Sequence, residues 1–386
     1  MKKKKSFLLF FLLFFLLINL VIFFSGKTWL YHGVAITYLK GYTSSYIHDF
    51  VYFPANKINA GQHQEWLVSK NYNKVRAPNF LADLNLELES TAFMIIQNDS
   101  VKYEKYWQGY YADSISNSFS IAKSLVSALV GIAIKDKKIT GVNQAVCDFL
   151  PEFCSDERSK ITIKHLLNMS AGLDWSENYY NPLGNAAHAY YGNDLKNLIL
   201  NLKSIKPAGT FFEYNSACTQ LLVFILEVAT KETVSDYASK KLWVPLGAKH
   251  PALWNTDKKG GDEKGFCCIN SNARDFARLG RLFLNYGNWK GVQIIDSSFV
   301  KEATMPSNLH DVNGKEYKEY GYQFWITNYK GLSIYYGRGL WGQYVICIPE
   351  KDIIIVRLGR KNRAKLENGH HEELYSFVDA ALKMYD

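Results

Sequence analysis

The first apolar stretch of the chain covers residues 6–24, where Ser6 and Asn19 are the only polar positions. Four lysines, Lys2 to Lys5, precede this stretch. A helix of this length can cross a bilayer, and lysines beside such a helix stay on the cytoplasmic side. We therefore predict an N-terminal transmembrane helix, with the rest of the chain outside the cytoplasm, either periplasmic or extracellular.

A cleaved signal peptide is the alternative interpretation of residues 1–24. Its apolar region would be shorter and would end at an Ala-x-Ala-like site, and the sequence Phe23-Phe24-Ser25-Gly26-Lys27 has no such site. We favour an uncleaved anchor. Residues 25–80 have a mixed composition and predict an N-terminal extension, a tether that wraps onto the folded body.

Beyond residue 80 the pattern runs from strands to helices and back to strands. Alternating apolar segments at 92–96 and 101–107 flank Gln97-Asn98-Asp99-Ser100 and predict a β-hairpin. Helical spacing begins near Leu125 and recurs at 161–169, 194–202, 218–230 and 272–286. Later strands are predicted at 322–326, 332–336, 344–348 and 353–358.

This order of elements predicts an α+β fold. An antiparallel sheet would be built from both ends of the chain and flanked by helices, with an inserted all-α lobe. The α/β lobe would comprise about 85–125 and 265–386, and the helical lobe about 126–264. A pocket is expected where the two lobes meet.

Ser120 and Lys123 form a Ser-x-x-Lys motif at the junction between the hairpin and the first long helix. Residues three apart share one helix face, and a desolvated lysine can accept the proton of a serine hydroxyl. Lys123 is the only charged residue from Ser114 through Ala133. A second copy, Ser298 to Lys301, has no comparable surroundings, so the spacing alone leaves open whether Lys123 is catalytic or lies at a helix edge.

Composition excludes several other classes of function. The formal net charge is +9, and no Lys/Arg-rich block with interleaved aromatic residues follows the first lysines, so nucleic-acid binding is not expected. The six cysteines have no Cys-x-x-Cys spacing, which argues against a zinc site. No Gly-x-Ser-x-Gly motif occurs, which argues against the usual Ser-His-Asp layout. We predict no metal and no cofactor.

Cys147 and Cys154 are close enough in sequence to form a disulfide across a short loop in an oxidising compartment. Buried free cysteines are the alternative, and the sequence leaves both possibilities open.

Several ordered motifs resemble the serine β-lactamase-related hydrolases, which include class C β-lactamases, penicillin-binding DD-peptidases, family VIII esterases and 6-aminohexanoate-dimer hydrolases. The resemblance covers about residue 85 to the end. It rests on the segments 119–123, 161–173, 214–216, 272–280 and 337–343. It implies a β-lactamase/transpeptidase-like fold and a serine hydrolase domain at 81–386.

The resemblance also implies roles for individual residues. Ser120 would be the acylated nucleophile, Lys123 would share its proton, and Tyr214 would pass a proton to the leaving group. We expect the lysine ammonium to lower the pKa of Tyr214 so that the pair exchanges one proton near neutral pH. Backbone N–H groups of the nucleophile and of the Arg338-Gly339-Leu340 segment would form the oxyanion hole.

Two departures from the β-lactamase pattern bear on the substrate. Ser216 stands where an amide would hold a β-lactam side chain, and the Lys-Thr-Gly triplet is missing. Arg338 stands near where the esterase-like members often carry His-x-Gly, and it either binds a carboxylate or forms a surface salt bridge. A further set of aromatic residues either lines a cleft or packs the lobe interface: Trp175, Tyr179, Tyr180, Tyr190, Tyr191 and Trp341. The Gly-x-Gly-x-Trp-Gly-Gln stretch is most similar to the 6-aminohexanoate-dimer hydrolase branch.

We therefore predict a membrane-anchored serine hydrolase that acts on a small-molecule or peptide-like ester or amide. One alternative is a penicillin-binding-type cell-wall D-peptidase. The other is a non-enzymatic acyl or ligand sensor on the same fold, which would keep its acyl group.

Overall fold

Residues 2–386 are described by a computed structural model, in which helices pack on both faces of a seven-stranded sheet. The α-helices are α1 (Lys2–Phe24), α2 (Trp29–Ile36), α3 (Asn79–Glu87), α4 (Ile121–Lys135), α5 (Ile163–Leu167), α6 (Asn185–Tyr191), α7 (Leu195–Leu200), α8 (Ser216–Thr230), α9 (Val234–Ala238), α10 (Ala273–Leu284), α11 (Ser297–Ala303) and α12 (Glu372–Tyr385). The strands are β1 (Ala55–Ile58), β2 (Leu67–Val68), β3 (Ser90–Gln97), β4 (Ser100–Tyr106), β5 (Ser116–Asn117), β6 (Ala252–Asn255), β7 (Ile269–Ser271), β8 (Asn288–Trp289), β9 (Val292–Gln293), β10 (Leu309–His310), β11 (Glu316–Tyr317), β12 (Trp325–Tyr329), β13 (Leu332–Gly339), β14 (Gln343–Ile348) and β15 (Ile353–Gly359).

The main sheet has the strand order β12-β13-β14-β15-β3-β4-β2. It joins both ends of the chain through the antiparallel pair β15–β3, which confirms the predicted sheet. Asn98 and Asp99 connect β3 to β4, and both have positive φ (50° and 58°), as a tight two-residue hairpin turn requires. The strand predicted at 322–326 begins three residues later than expected, at Trp325.

Two helical layers cover this sheet. α3 and α12 pack on one face, where the Phe93 and Phe377 rings lie 5.3 Å apart. α4 and α10 pack on the other face, and α10 approaches so closely that a Cβ on Gly280 would lie 3.0 Å from Ile354. β14 and β15 are buried along their whole length, because both of their faces are covered.

A second, four-stranded sheet has the order β1-β6-β7-β5. It corrects the prediction of an all-α lobe, because β6 lies within residues 126–264 and pairs with β1 and β7. These strands have two to four residues, too few for a clear alternation of apolar and polar positions. The division into two lobes stays a prediction.

Residues 25–80 contribute to both sheets. β1 joins the smaller sheet, and β2 lies parallel to β4 at the edge of the main sheet, which is otherwise antiparallel. α1, by contrast, extends with its apolar side chains exposed, and its residues Lys3–Phe24 are long and apolar enough to span a membrane.

The structure contains two disulfides. Cys147 pairs with Cys154, so these two residues form a disulfide and are not buried free cysteines. Cys267 also pairs with its neighbour Cys268, which the sequence analysis did not predict. Cys218 and Cys347 are free and buried.

Candidate active site

Ser120 stands at the start of α4, directly after a tight turn from β5. Phe119 has a positive φ of 44°, and its N–H donates to Asn117 Oδ1 over 2.9 Å, which fixes the turn. The Ser120 hydroxyl makes no capping hydrogen bond to α4. The Ser120 N–H has no backbone acceptor among residues 2–386 and lies at the positive end of the helix dipole. The N–H is thus available to a substrate, and the hydroxyl is not committed to capping the helix.

Lys123 contacts Ser120 from inside the protein. Its Nζ lies 2.9 Å from Ser120 Oγ and donates to the carbonyl oxygen of Phe266 over 2.8 Å. The side chain is only 1% exposed. Burial lowers the pKa of Lys123 to about 8, although the carboxylate of Glu177 opposes this shift. Burial thus makes Lys123 lose its proton more easily than an exposed lysine, as a proton acceptor for Ser120 requires.

Tyr214 immediately precedes the cap of α8 and lies beside Lys123. The Lys123 Nζ is 5.2 Å from the centroid of the Tyr214 ring, and this ring stacks on Trp325 with centroids 5.4 Å apart. Asn215 caps α8 by accepting a hydrogen bond from the N–H of Ala217 over 2.9 Å. This cap fixes where the chain turns into the helix and so holds Tyr214 at the site.

The expected lowering of the Tyr214 pKa is wrong for this structure. Burial and the negative charge of Glu177 raise the pKa of the Tyr214 hydroxyl, and its interactions with Ser120 and Arg338 offset only part of that increase. Tyr214 is therefore protonated at neutral pH. The pKa that burial brings towards neutrality is that of Lys123.

β13 closes the site opposite α4, and glycines permit its close approach. A Cβ on Gly339 would lie 2.2 Å from the carbonyl oxygen of Ser118, and a Cβ on Gly337 would lie 3.1 Å from Ser124 Oγ. Any side chain at position 339 would thus push the strand away from the segment that precedes Ser120. Gly339 therefore lies against Ser118 and Phe119, and the role of Gly339 and Leu340 in an oxyanion hole stays a prediction.

Trp341 follows this strand in a left-handed conformation, with φ 63°. Its Nε1 donates to the carbonyl oxygen of Ser45 over 2.8 Å. The buried Arg357 donates to the carbonyl oxygens of Trp341 and Gly342 over 2.7 and 2.8 Å. Trp341 is thus held on both sides, by the N-terminal extension and by the Arg357 guanidinium, which no sequence motif marks.

Arg338 lies against the stacked rings of Trp325 and Tyr214, which we call the aromatic wall of the site. Its guanidinium carbon is 3.7 Å from the centroid of the Trp325 ring, and its Nη1 donates to the carbonyl oxygen of Gly369 over 2.9 Å. Trp325 in turn stacks on Tyr214. The arrangement places a positive charge beside the site, where an anionic part of a substrate could bind.

Glu177 is a site residue that the sequence analysis missed. Its carboxylate accepts hydrogen bonds from Trp175 Nε1 over 2.5 Å, from the Tyr179 hydroxyl, and from both the N–H (2.9 Å) and the hydroxyl (2.5 Å) of Ser216. A serine hydroxyl has one proton, and here Ser216 donates it to Glu177. The Ser216 oxygen is thus left only as an acceptor, and its role in substrate binding stays a prediction. No motif spacing marked Glu177.

The aromatic residues predicted to line a cleft or to pack the lobe interface differ in their surroundings. Trp175 and Tyr179 surround Glu177, and Tyr180 is 92% exposed next to them. Tyr190 is instead buried and donates to Asp49, and the Tyr191 ring lies against Gly33. Among residues 2–386, no cluster of three or more His, Cys, Asp or Glu side chains could hold a metal ion.

The chain is similar in sequence to known hydrolases. The family model described as Beta-lactamase matches residues 81–374. The chain is 26% identical over 302 residues to the 6-aminohexanoate-dimer hydrolase of Paenarthrobacter ureafaciens, which covers 72% of this chain and 75% of that protein.

Two solved structures share the fold. A putative 6-aminohexanoate-dimer hydrolase from Bacillus anthracis superposes with a TM-score of 0.74 at 22% identity, covering 88% of this chain and 92% of that one. A family VIII carboxylesterase superposes with a TM-score of 0.64 at 16% identity, covering 83% and 99%.

Proposed function

Because the chain belongs to the beta-lactamase family and is a serine hydrolase of that family, we propose that it hydrolyses an ester or small amide through an acyl-enzyme on Ser120. The observation that carries this proposal is the contact between Lys123 Nζ and Ser120 Oγ, 2.9 Å long, with the lysine buried. A base of this kind can activate a serine hydroxyl without a histidine.

In the proposed acylation step, Ser120 Oγ forms a bond to the substrate carbonyl carbon while its proton passes to Lys123 Nζ. The carbonyl oxygen becomes an oxyanion, which the Ser120 N–H and an N–H of the Arg338-Gly339-Leu340 segment stabilise. Tyr214 then gives its proton to the leaving oxygen or nitrogen and takes one from the Lys123 ammonium. Its raised pKa suits this relay, because no free tyrosinate needs to accumulate.

Deacylation reverses these roles. A water molecule gives a proton to the Lys123–Tyr214 pair and attacks the acyl carbon, and Ser120 Oγ leaves with the returned proton. The products are the acid and the free enzyme. No cofactor takes part in the proposed cycle.

The surroundings of Ser216 favour a simple ester or amide over a β-lactam. Its hydroxyl proton is directed to Glu177, so it cannot donate to the carbonyl of a β-lactam side chain. Gly337-Arg338-Gly339 also stands in place of Lys-Thr-Gly. Both differences support a substrate recognised mainly by shape and by the aromatic wall.

We place this activity outside the cytoplasm, with α1 as a retained anchor. The support is the length and hydropathy of α1, together with the lysines that precede its apolar part. A cleaved signal sequence is the competing interpretation. Intact-mass measurement of the protein from its native membrane would show which is correct.

Intact-mass spectrometry after exposure to a p-nitrophenyl ester, and separately to a penicillin, tests the proposed chemistry. We expect a transient acyl adduct from the ester in the wild type and in Ser298→Ala, and none in Ser120→Ala. A lasting penicillin adduct without ester turnover would indicate a penicillin-binding protein. An ester adduct that never decays would indicate a sensor, and an adduct that persists in Ser120→Ala would refute the assigned nucleophile.

A further inference from the structure

The short helix α2 is apolar on two opposite faces. Its inner face carries Trp29, Gly33 and Ile36, all buried against the folded body. Its outer face carries Tyr31, Val34 and Ala35, spaced three and four residues apart and all exposed. A helix that is apolar on both sides is normally covered on both sides. The inner face has its cover, and the outer face needs one.

The outer face continues into the 3-10 turn that follows. Tyr38 and Leu39 there are 55% and 76% exposed, while Tyr31 and Val34 are 46% and 43% exposed. We call residues 31–39 on this side the α2 patch. Within it, no exposed position carries a charge. Lys27 and Lys40 flank the patch in sequence. Aromatic and aliphatic side chains bordered by lysines are typical of helices that lie in a membrane interface.

The position of α2 relative to α1 identifies what covers the patch. The Tyr31 hydroxyl donates to Asn19 Oδ1 over 2.6 Å, and Asn19 Nδ2 donates to the carbonyl oxygen of Phe15 over 2.7 Å. α2 therefore folds back beside the last turns of α1. Asn19 lies five residues before the end of α1, about 7–8 Å along the helix axis at 1.5 Å per residue. If α1 spans the bilayer, the α2 patch lies at the depth of the outer headgroup region.

We propose that the α2 patch is embedded in the outer interface of the bilayer that α1 crosses, so that the protein rests on the lipid surface through a second, interfacial helix. The occupant of the patch is lipid, and the basic ends of the segment favour anionic headgroups. This inference rests on the proposed function only in taking α1 as a retained anchor. It does not depend on the chemistry at Ser120.

The inner face of α2 contacts α6, which follows the Glu177 segment in the chain. The Trp29 ring stacks on His188 of α6 with centroids 5.0 Å apart, and a Cβ on Gly33 would lie 3.3 Å from the Tyr191 ring. α6 starts eight residues after Glu177. The intervening segment exposes Tyr180 and Leu183. α2 therefore contacts the helix that follows the Glu177 segment in the chain.

Two exposed valines provide a matched test in the full-length protein. Val34 lies in the α2 patch, and Val292, which is 64% exposed, lies on β9. Val34→Cys and Val292→Cys are labelled with a polarity-sensitive fluorophore and reconstituted in phosphatidylcholine vesicles containing phosphatidylglycerol. The free cysteines Cys218 and Cys347 are buried, so they should not compete for the label. We expect blue-shifted emission and severalfold stronger quenching by spin-labelled lipid at position 34 than at position 292.

Equal emission and equal quenching at the two positions would overturn the proposal. So would disulfide-linked dimers of the unlabelled Val34→Cys variant together with no lipid quenching of the labelled one, because a second copy would then cover the patch. Hydrolysis of p-nitrophenyl acetate by the same vesicles is the second measurement. If it persists while position 34 is exposed to water, only the interfacial helix is refuted. If it is absent while position 34 is in lipid, only the proposed activity is refuted.

Discussion

The chain contains two Ser-x-x-Lys segments with the same spacing and different surroundings. In α4, Lys123 is buried and contacts both Ser120 Oγ and the Phe266 carbonyl oxygen. In α11, Ser298 and Lys301 are exposed, and the Lys301 Nζ is 5.9 Å from the centroid of the Tyr286 ring. Helical spacing brings a serine and a lysine to one face in both cases. Only burial makes the lysine a base near neutral pH.

The comparison also shows what the rest of the fold contributes. α4 begins where β5 ends and is buried between the main sheet and α8, whereas α11 is a two-turn helix with one buried side. Gly339 of β13 approaches the segment before Ser120, and Tyr214 stands beside Lys123. The active-site character of the first copy is thus a property of three converging segments rather than of the tetrapeptide.

The serine substitutions should separate the two copies most strongly. We expect Ser120→Ala to reduce kcat/KM for a p-nitrophenyl ester by at least about 10⁴-fold, because no other group can form the acyl bond. Ser298→Ala should leave kcat/KM within twofold of the wild type. Steady-state kinetics on both variants gives the answer. A large loss in Ser298→Ala with normal folding would show that the contrast between the copies is wrong.

The lysines test burial directly. Lys123→Met keeps an apolar side chain of similar length but removes the proton acceptor, so we expect kcat/KM to fall by about 10²–10⁴-fold. Thermal unfolding should change little, because removing a buried amine that has no carboxylate partner offsets the loss of its hydrogen bonds to Ser120 and Phe266. Lys301→Met should affect neither quantity. Equal activity of the two variants would mean that Lys123 is only a structural residue.

Much of the fold could be predicted because its signals are local. The β3–β4 hairpin, the strands of the C-terminal half and helices such as α8 and α10 follow from periodicity and turn residues. The smaller sheet could not be predicted, because its strands are too short to show a period. The pairing of β1 with β6 joins distant segments of the chain, such as Ala55 and Asn255.

The site divides in the same way. The sequence identifies Ser120 and Lys123 through the Ser-x-x-Lys motif, and it identifies Tyr214 through the segment 214–216. Phe266 contacts Lys123 through its main-chain carbonyl oxygen, a group that every residue carries and that leaves no mark in the sequence. The direction of the Tyr214 pKa also depends on burial by tertiary contacts and on Glu177, and neither is visible from the spacing.

A substitution of Gly339 changes how closely β13 approaches the segment before Ser120 and leaves the Ser-x-x-Lys motif intact. Gly339→Ala would place a Cβ 2.2 Å from the Ser118 carbonyl oxygen, so the strand must move away from Ser120. We expect kcat to fall by about 10–10³-fold, the range for a weakened or lost oxyanion donor, with a smaller change in KM.

Gly331→Ala is the control, in the turn between β12 and β13. Gly331 has φ +77°, but a Cβ there would meet no atom within 4 Å. It should reduce stability by about 1–2 kcal/mol through backbone strain and leave kcat unchanged. If both variants lost activity in proportion to stability, the close approach at Gly339 would have no separate catalytic role.

The smallest expected effect is a shift in pH dependence on substitution of Glu177. Burial places the pKa of Lys123 at about 8, so kcat/KM for a neutral ester should rise with pH below that value and level off above it. The Glu177 carboxylate stabilises the lysine ammonium and so raises this pKa. Glu177→Gln removes the negative charge, and the ammonium then loses its proton more easily. The acid limb of the kcat/KM profile should therefore move to lower pH.

Glu213→Gln tests whether any nearby carboxylate would have the same effect. Glu213 adjoins Tyr214 in sequence but pairs with Lys206 over 2.5 Å and is partly exposed, so its charge is screened by solvent. Its substitution should leave the acid limb in place. An unchanged limb in Glu177→Gln, or a shift to higher pH, would mean that Lys123 does not govern the pH dependence. The buried lysine would then differ from Lys301 in position but not in chemistry.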